Sequence, residues 1–166
     1  VPLFDISHPE NTWRLRSGIQ YDFPQNTRLD AGARILIVGF DPVSQPQVLS
    51  RFRKHYQIEN VTSIYGPYSG KLNNSGDGIV LKKPDAPQTA PDQSIGKVPY
   101  VTVDAVYYGV GTPWPESVLG SSESIQRTDL GQFGNEPANW LSAAPTPTMR
   151  NYKGNMYFTE IKMVED

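Results

Sequence analysis

Apolar and polar positions alternate at the start of the chain and again near its end. Trp13 and Leu15 alternate with Arg14 and Arg16, and Ile19, Tyr21 and Phe23 alternate with Gln20 and Asp22. Period-two alternation gives a strand one buried and one wet face, so two antiparallel strands are expected, with Ser17-Gly18 as the turn. Pro24 ends the second, because proline cannot donate to a ladder. After a turn at Leu29, Asp30, Ala31 and Gly32, residues 35–38 run apolar without a break. That run predicts a central strand covered on both faces.

The pattern then changes period. Val48, Leu49, Phe52 and Tyr56 fall on one side of a helix, while Arg51, Arg53, Lys54 and His55 fill much of the rest. One short amphipathic helix over 44–56 is expected, with Ser44 or Asp41 at its start, laid over the end of a sandwich. Its basic face reads first as a solvated face and only secondarily as a polyanion contact. Turn residues follow at 67–70 and 73–78, then a strand at 79–81.

Residues 82–99 are polar, with Pro84, Pro87, Pro91 and Pro99, and lack core periodicity. The segment either crosses between sheets or projects as a surface lobe. It is not a domain linker, because the strand after it pairs best with the strand before it. That later strand, 101–108, is β-branched and aromatic and gives the strongest strand signal in the chain. Thr112-Pro113-Trp114-Pro115 breaks it. Residues 124–127 form a weaker strand, 135–147 a loop anchored by Trp140, and 157–163 a last alternating strand.

Composition sharpens the fold class. The 166 residues suit one domain, with 37% hydrophobic and 19% charged residues, 14 Gly and 15 Pro. Short apolar runs, many turns and aromatic anchors make an all-β domain. The net charge of -2 argues against a nucleic-acid or acidic-membrane binder. There is no Cys, hence no disulfide framework, thiolate metal site or Cys nucleophile. No apolar run approaches the ~20 residues of a membrane span. No signal peptide is visible, and a first residue Val1 in place of Met suggests a processed or trimmed chain, which leaves room for an export signal upstream.

The search for chemistry yields little. His8 and His55 each stand alone, without the paired spacing of a metal site. No Gly-x-Ser-x-Gly elbow surrounds any Ser, and Gly-rich phosphate loops are missing, although a scattered triad stays open. Residues 73–77 have oxygen ligands but lack the carboxylate spacing of a calcium loop, so a hairpin turn is the plainer reading. Asp104 and Glu116, near Tyr107, Tyr108 and Trp114, are the candidate carboxylates for glycoside chemistry. Trp114 and Trp140 are candidate sugar platforms, with core plugs as the favoured alternative. No cofactor is expected.

The features from Leu72 to Pro147 resemble the lamin tail domain, the immunoglobulin-like module that ends nuclear lamins and occurs in many bacterial proteins. The residues that carry the resemblance are Leu72, Asn73, Asn74, Ser75, Gly76 and Asp77 before Ile79-Val80-Leu81, then Asp104 within the 103–108 run. Pro113-Trp114-Pro115, the 120–126 segment and Ala138-Asn139-Trp140 follow. The segments 133–141, 83–88 and 98–100 are similar to such modules in large secreted bacterial proteins, as are Trp13 with its neighbours, 21–24 and 32–56. The order of these motifs carries the resemblance, which covers roughly 1–147.

It implies an immunoglobulin-like β-sandwich over 1–147, with a C-terminal extension over 148–166 that holds one strand. Its structural signature is Trp13, Gly76, Asp77, Asp104, Trp114, Pro115, Asn139 and Trp140, all in packing roles, so no catalytic residue is expected. It implies an extracellular or cell-surface interaction module that binds a protein partner or assembles with itself. A carbohydrate-binding module, a hydrolase domain and a pure spacer are the other readings. Two departures stand out. The family's opening strand is absent, and its closing Gly-Thr-Pro-Gly type of ending is replaced by residues 144–149. A vacant sheet edge is a template for another strand, so the expectation is that a tail carrying Tyr157, Phe158, Ile161 and Met163, or another chain, fills it.

Overall fold

The computed structural model describes residues 1–60, 62–89, 91, 94–115, 122–149 and 151. Within them the chain is all-β apart from one helix and a short 3₁₀ turn. The strands are β1 (Arg14–Ser17), β2 (Ile19–Asp22), β3 (Ile35–Ile37), β4 (Ser63–Tyr65), β5 (Ser69–Gly70), β6 (Gly76–Pro84), β7 (Tyr100–Gly109), β8 (Ser124–Arg127) and β9 (Trp140–Ala143). The helix α1 (Pro46–Tyr56) lies between β3 and β4.

The main sheet is antiparallel, in the order β5-β2-β1-β6-β7. The alternation at the chain start lies behind β1 and β2. Leu15 pairs with Tyr21 and Leu81, on the side of the sheet that Ile79 and Val106 share. Arg14 and Arg16 take the other side. There the Arg14 guanidinium carbon sits 3.2 Å from the centroid of the Tyr100 ring, and Arg16 bonds Asp22. The core comprises Leu3, Phe4, Ile19, Phe23, Val38, Ile58 and Val80. Residues 1–4 are bridged to Arg28 through Pro2 and to Thr12 through Phe4, which carries Leu3 and Phe4 inward.

β6 and β7 form one long hairpin, so the polar segment after β6 is no linker. Its described ends pair with each other rather than crossing between sheets. Asp85 N–H donates to Pro99 O (2.9 Å) and Gln88 N–H to Lys97 O (2.9 Å), which continues the hairpin as a ribbon.

Four expectations need correction. Residues 35–37 are not a central strand covered on both faces; all three are half-buried, and β3 pairs only with β4. That pairing is parallel, and α1 makes the crossover. A continuous apolar run fits a half-covered strand equally well, and a parallel partner arriving over a helix leaves no local mark. Second, Ser69 and Gly70 are not only a turn, since they pair with Ile19 and Gln20 as β5. Third, 135–147 is not all loop, because β9 pairs with β8 from Arg127↔Trp140 to Ser124↔Ala143. Fourth, neither Asp41 nor Ser44 caps α1. Gln45 holds the cap position without a side-chain bond.

Asp41 instead ties the preceding turn, accepting from Ser44 Oγ (2.7 Å) and from Val43 N–H (2.8 Å). The Ser44 hydroxyl and these backbone bonds hold its carboxyl below the usual range. The expected apolar face of α1 is present but peripheral. Phe52 makes edge contacts with Phe40 (5.6 Å) and Tyr56 (5.0 Å), and no residue of the helix is fully buried. Arg53 spends its guanidinium on the carbonyls of Glu59 and Thr62, so the basic face is partly consumed by the helix's own C-terminal loop.

Candidate functional site

The β8–β9 pair lies against one face of the β6–β7 hairpin. A cavity of about 130 Å³ between them is lined by Ile79, Leu81, Val106 and Trp140 together with Asp104 and Arg127. A second, of about 370 Å³, is lined by Leu72, Ile79, Val106, Ile125 and Trp140 among others.

At this contact the structure gathers four of the signature residues. Arg127 on β8 pairs with Asp104 on β7. The same guanidinium reaches the carbonyls of Gln132 and Asp129, the latter at 3.3 Å. Asn139 is 4% exposed and holds the turn between β8 and β9. Its Oδ1 accepts from Asp129 N–H (2.9 Å) and Thr128 Oγ (3.2 Å), and its Nδ2 donates to Asp129 O (2.7 Å). An amide is the side chain that serves both the N–H and the C=O of one residue at once. Trp140 donates its indole N–H to Gly134 O (2.7 Å) and stands 6.2 Å, ring to ring, from Trp114. Both indoles are half-buried. Their rings meet at 54° and each stays partly exposed, so this packing narrows without removing the surface a sugar ring would stack on.

The cluster has a second effect. β7 is an outer strand of the main sheet, and its unpaired edge is an invitation to other chains. Along part of its length that edge is covered. Tyr107 N–H donates to Asn135 Oδ1 (2.8 Å), and Ala105 N–H donates to the carboxylate of Asp104 (3.0 Å). Gly134 lies against the same edge, and a β-carbon there would stand 2.6 Å from Ala105 O and would collide with Asp104 Oδ1. Only glycine lets the loop approach this closely.

The cover stops at a bulge. Leu81 pairs with Asp104 but Lys82 with Thr102, so Val103 is unopposed. Val101 (39%), Thr102 and Val103 (44%) are all exposed. The opposite edge of the sheet is β5, only two residues long.

The remaining signature residues lie elsewhere. Gly76 opens β6 at φ +128, and Asp77 accepts from Gly78 N–H (2.7 Å) and Asn73 N–H (3.1 Å). The Asp77 carboxylate is thus a turn-closing group. It also adds to the burial that pushes the Tyr108 hydroxyl pKa up. Trp13 is half-buried and ties the chain start to β2, donating to Leu3 O (2.9 Å) and accepting from Phe23 N–H (3.0 Å). Pro115 follows Trp114 and is half-buried. Glu116, Tyr157, Phe158, Ile161 and Met163 lie outside the described residues. No group of three or more His, Cys, Asp or Glu positioned to hold a metal occurs among the described residues.

Arg127, Gly134 and Asn135 were not singled out from sequence. Arg127 had a signal: it shares a strand face with the core-facing Ile125, and an inward arginine requires an inward carboxylate. Comparison with known protein families, with curated proteins and with solved structures gives no match.

Proposed function

We propose that this chain is a non-enzymatic interaction and assembly module of the lamin-tail type, acting outside the cell, and that it works through the open part of the β7 edge. The observation that carries the reading is the contrast along one strand. Asp104, Gly134 and Asn135 cover the edge at Ala105 and Tyr107, whereas no described residue bonds the outer edge at 101–103, which carries two exposed valines. An added strand gains main-chain bonds at such an edge and places alternate side chains against the valines. The pairing of 85–88 with 96–99 continues the hairpin beyond this point.

The lamin-tail likeness is supported by the way Asp104, Trp114, Asn139 and Trp140 converge in packing roles. The carbohydrate reading is the less favoured, since the two half-buried indoles pack on one another. For the glycoside reading, Asp104 is committed to Arg127.

The test is light scattering of the chain across a concentration series, together with selection of extended peptides that bind it. A self-association constant or a selected peptide should broaden or shift the amide resonances of residues 100–103. Val103→Lys should weaken the association at least about tenfold, as a charge on an edge does. Binding that leaves residues 100–103 unperturbed and ignores Val103→Lys would refute the reading.

A further inference from the structure

The face of the main sheet that carries Arg14 and Arg16 holds more positive charge than it balances. Register lines up Asp22, Arg14, Lys82 and Thr102 across β2, β1, β6 and β7 in one row, with all four side chains on this face. The carboxylate of the row, Asp22, is taken by Arg16 of the neighbouring row. Arg14 and Lys82 are left directly opposite each other, and like charges so placed cost stability in a sheet. Neither has an ion pair among the described residues.

Arg14 is the sharper case. Its Nε–H is buried and has no hydrogen-bond partner. A buried donor left without a partner marks a place for water or an ion. The stack on Tyr100 covers one flat side of the guanidinium, but the N–H groups point outward in its plane and stay available to an acceptor. β6 lies between β1 and β7, so to reach the Tyr100 ring the guanidinium leans across β6 toward β7. Lys82 stands on that same β6, so the two cations share one small area beside Thr102.

We propose that Arg14 and Lys82 form an oxyanion site whose ligand is the carboxylate of an Asp or Glu side chain on an extended peptide. The site stands on the charge row and the unpartnered donor; the peptide as carrier rests on the proposed function. Thr102 ends the row within the exposed stretch of β7. A strand added there places one residue opposite Thr102 on the charged face, about 10 Å from the Lys82 backbone, within the joint reach of a lysine and a glutamate side chain. Its next residues turn to the other face, the side of Val101. The partner strand is therefore acidic on one face and apolar on the other. A planar carboxylate matches the guanidinium fork, and Lys82 adds a point charge. A sugar acid fits less well, because the Tyr100 face on which its ring could stack is taken by Arg14.

The experiment selects extended peptides on the full chain and follows them by NMR at the amides of residues 100–103 and at the Arg14 side-chain Nε–H. Selected peptides should carry Asp or Glu on one face, and replacing that residue by Asn or Gln should weaken binding about five- to tenfold. The Arg14 Nε–H should shift with the acidic peptide and not with its amide counterpart. Lys82→Gln leaves the Arg14–Tyr100 stack in place and should at least halve the preference for acid over amide; Arg14→Gln should abolish it. If Arg14→Gln unfolds the chain, Lys82→Gln decides. Peptides that perturb residues 100–103 with no acidic preference, or with a preference that Lys82→Gln leaves whole, overturn this inference and leave the proposed function standing. Peptides that bind elsewhere, or none that bind, overturn both. An Arg14 Nε–H that answers a uronate oligosaccharide at lower concentration than the acidic peptide assigns the site to a sugar and overturns the peptide ligand.

Discussion

Removing the Asn139 side chain tests how the contact between β8, β9 and β7 is held. Asn139→Ala deletes three hydrogen bonds, two of them to the backbone of Asp129. Each bond is worth about 1 kcal/mol net, and a backbone group stranded without a partner costs about 1–3 kcal/mol. Asp129 itself is exposed, so water can reach its freed groups and the larger figure does not apply. The Thr128 hydroxyl keeps its bond to Asn139 O (3.1 Å), so two bonds count and the expected loss is about 2 kcal/mol, or roughly 4–8 °C in Tm for a chain of this length. Asn139→Asp should be worse at neutral pH, by about 3 kcal/mol or more. The new carboxylate is buried and faces the Asp129 carbonyl that the amide served as donor. A carboxylic acid restores that donor, so the folded state raises the pKa of the introduced group. The stability is therefore present at low pH and is lost as pH rises through the folded pKa. Urea unfolding at pH 4 and pH 7 reads both effects as shifts in midpoint at constant slope. A loss below about 0.5 kcal/mol for Asn139→Ala refutes the clamp. So does an Asn139→Asp variant no worse than Asn139→Ala at pH 7.

Gly134→Ala should cost about 1–3 kcal/mol through contact with Ala105 O and Asp104, and should speed exchange of the Tyr107 amide, both read by hydrogen exchange. Arg127→Lys should not replace arginine, because a single ammonium cannot serve Asp104, Asp129 O and Gln132 O together; a loss of about 1–2 kcal/mol in urea midpoint is expected. The Tyr21 hydroxyl has its pKa pushed up to about 12, chiefly by burial and secondarily by Tyr65. The unfolded chain releases that proton near pH 10 and the folded chain only near 12, so stability falls between these values, and Tyr21→Phe should flatten the fall in an alkaline unfolding series.

The local elements were legible in the sequence where a repeat of side-chain type reports the environment directly. Alternation at Trp13 to Phe23 marked β1 and β2, the 3.6 period at Val48, Leu49, Phe52 and Tyr56 marked α1, and the dense β-branched run marked β7. The hairpin across the proline-rich ribbon was legible too, because two strong strands on either side of a polar segment pair most simply with each other. The candidate site was half legible. Asp104, Asn139 and Trp140 stood out as residues, but their partners Arg127, Gly134 and Asn135 did not, since a turn glycine and a loop asparagine look alike whether or not they meet a strand.

Tertiary structure alone decided the rest. Whether an apolar run such as 35–37 is central or peripheral depends on what arrives beside it, and β4 arrives over a helix with no mark in the run itself. Whether β9 is strand or loop depends on its pairing with β8, since Trp140, Leu141, Ser142 and Ala143 do not alternate. Which length of β7 is open depends on a loop 28 residues later and on one unopposed residue, Val103. Side-chain patterns record burial, which is a property of each position. Edges, registers and long-range caps are properties of pairs of positions, and only the folded chain brings those pairs together.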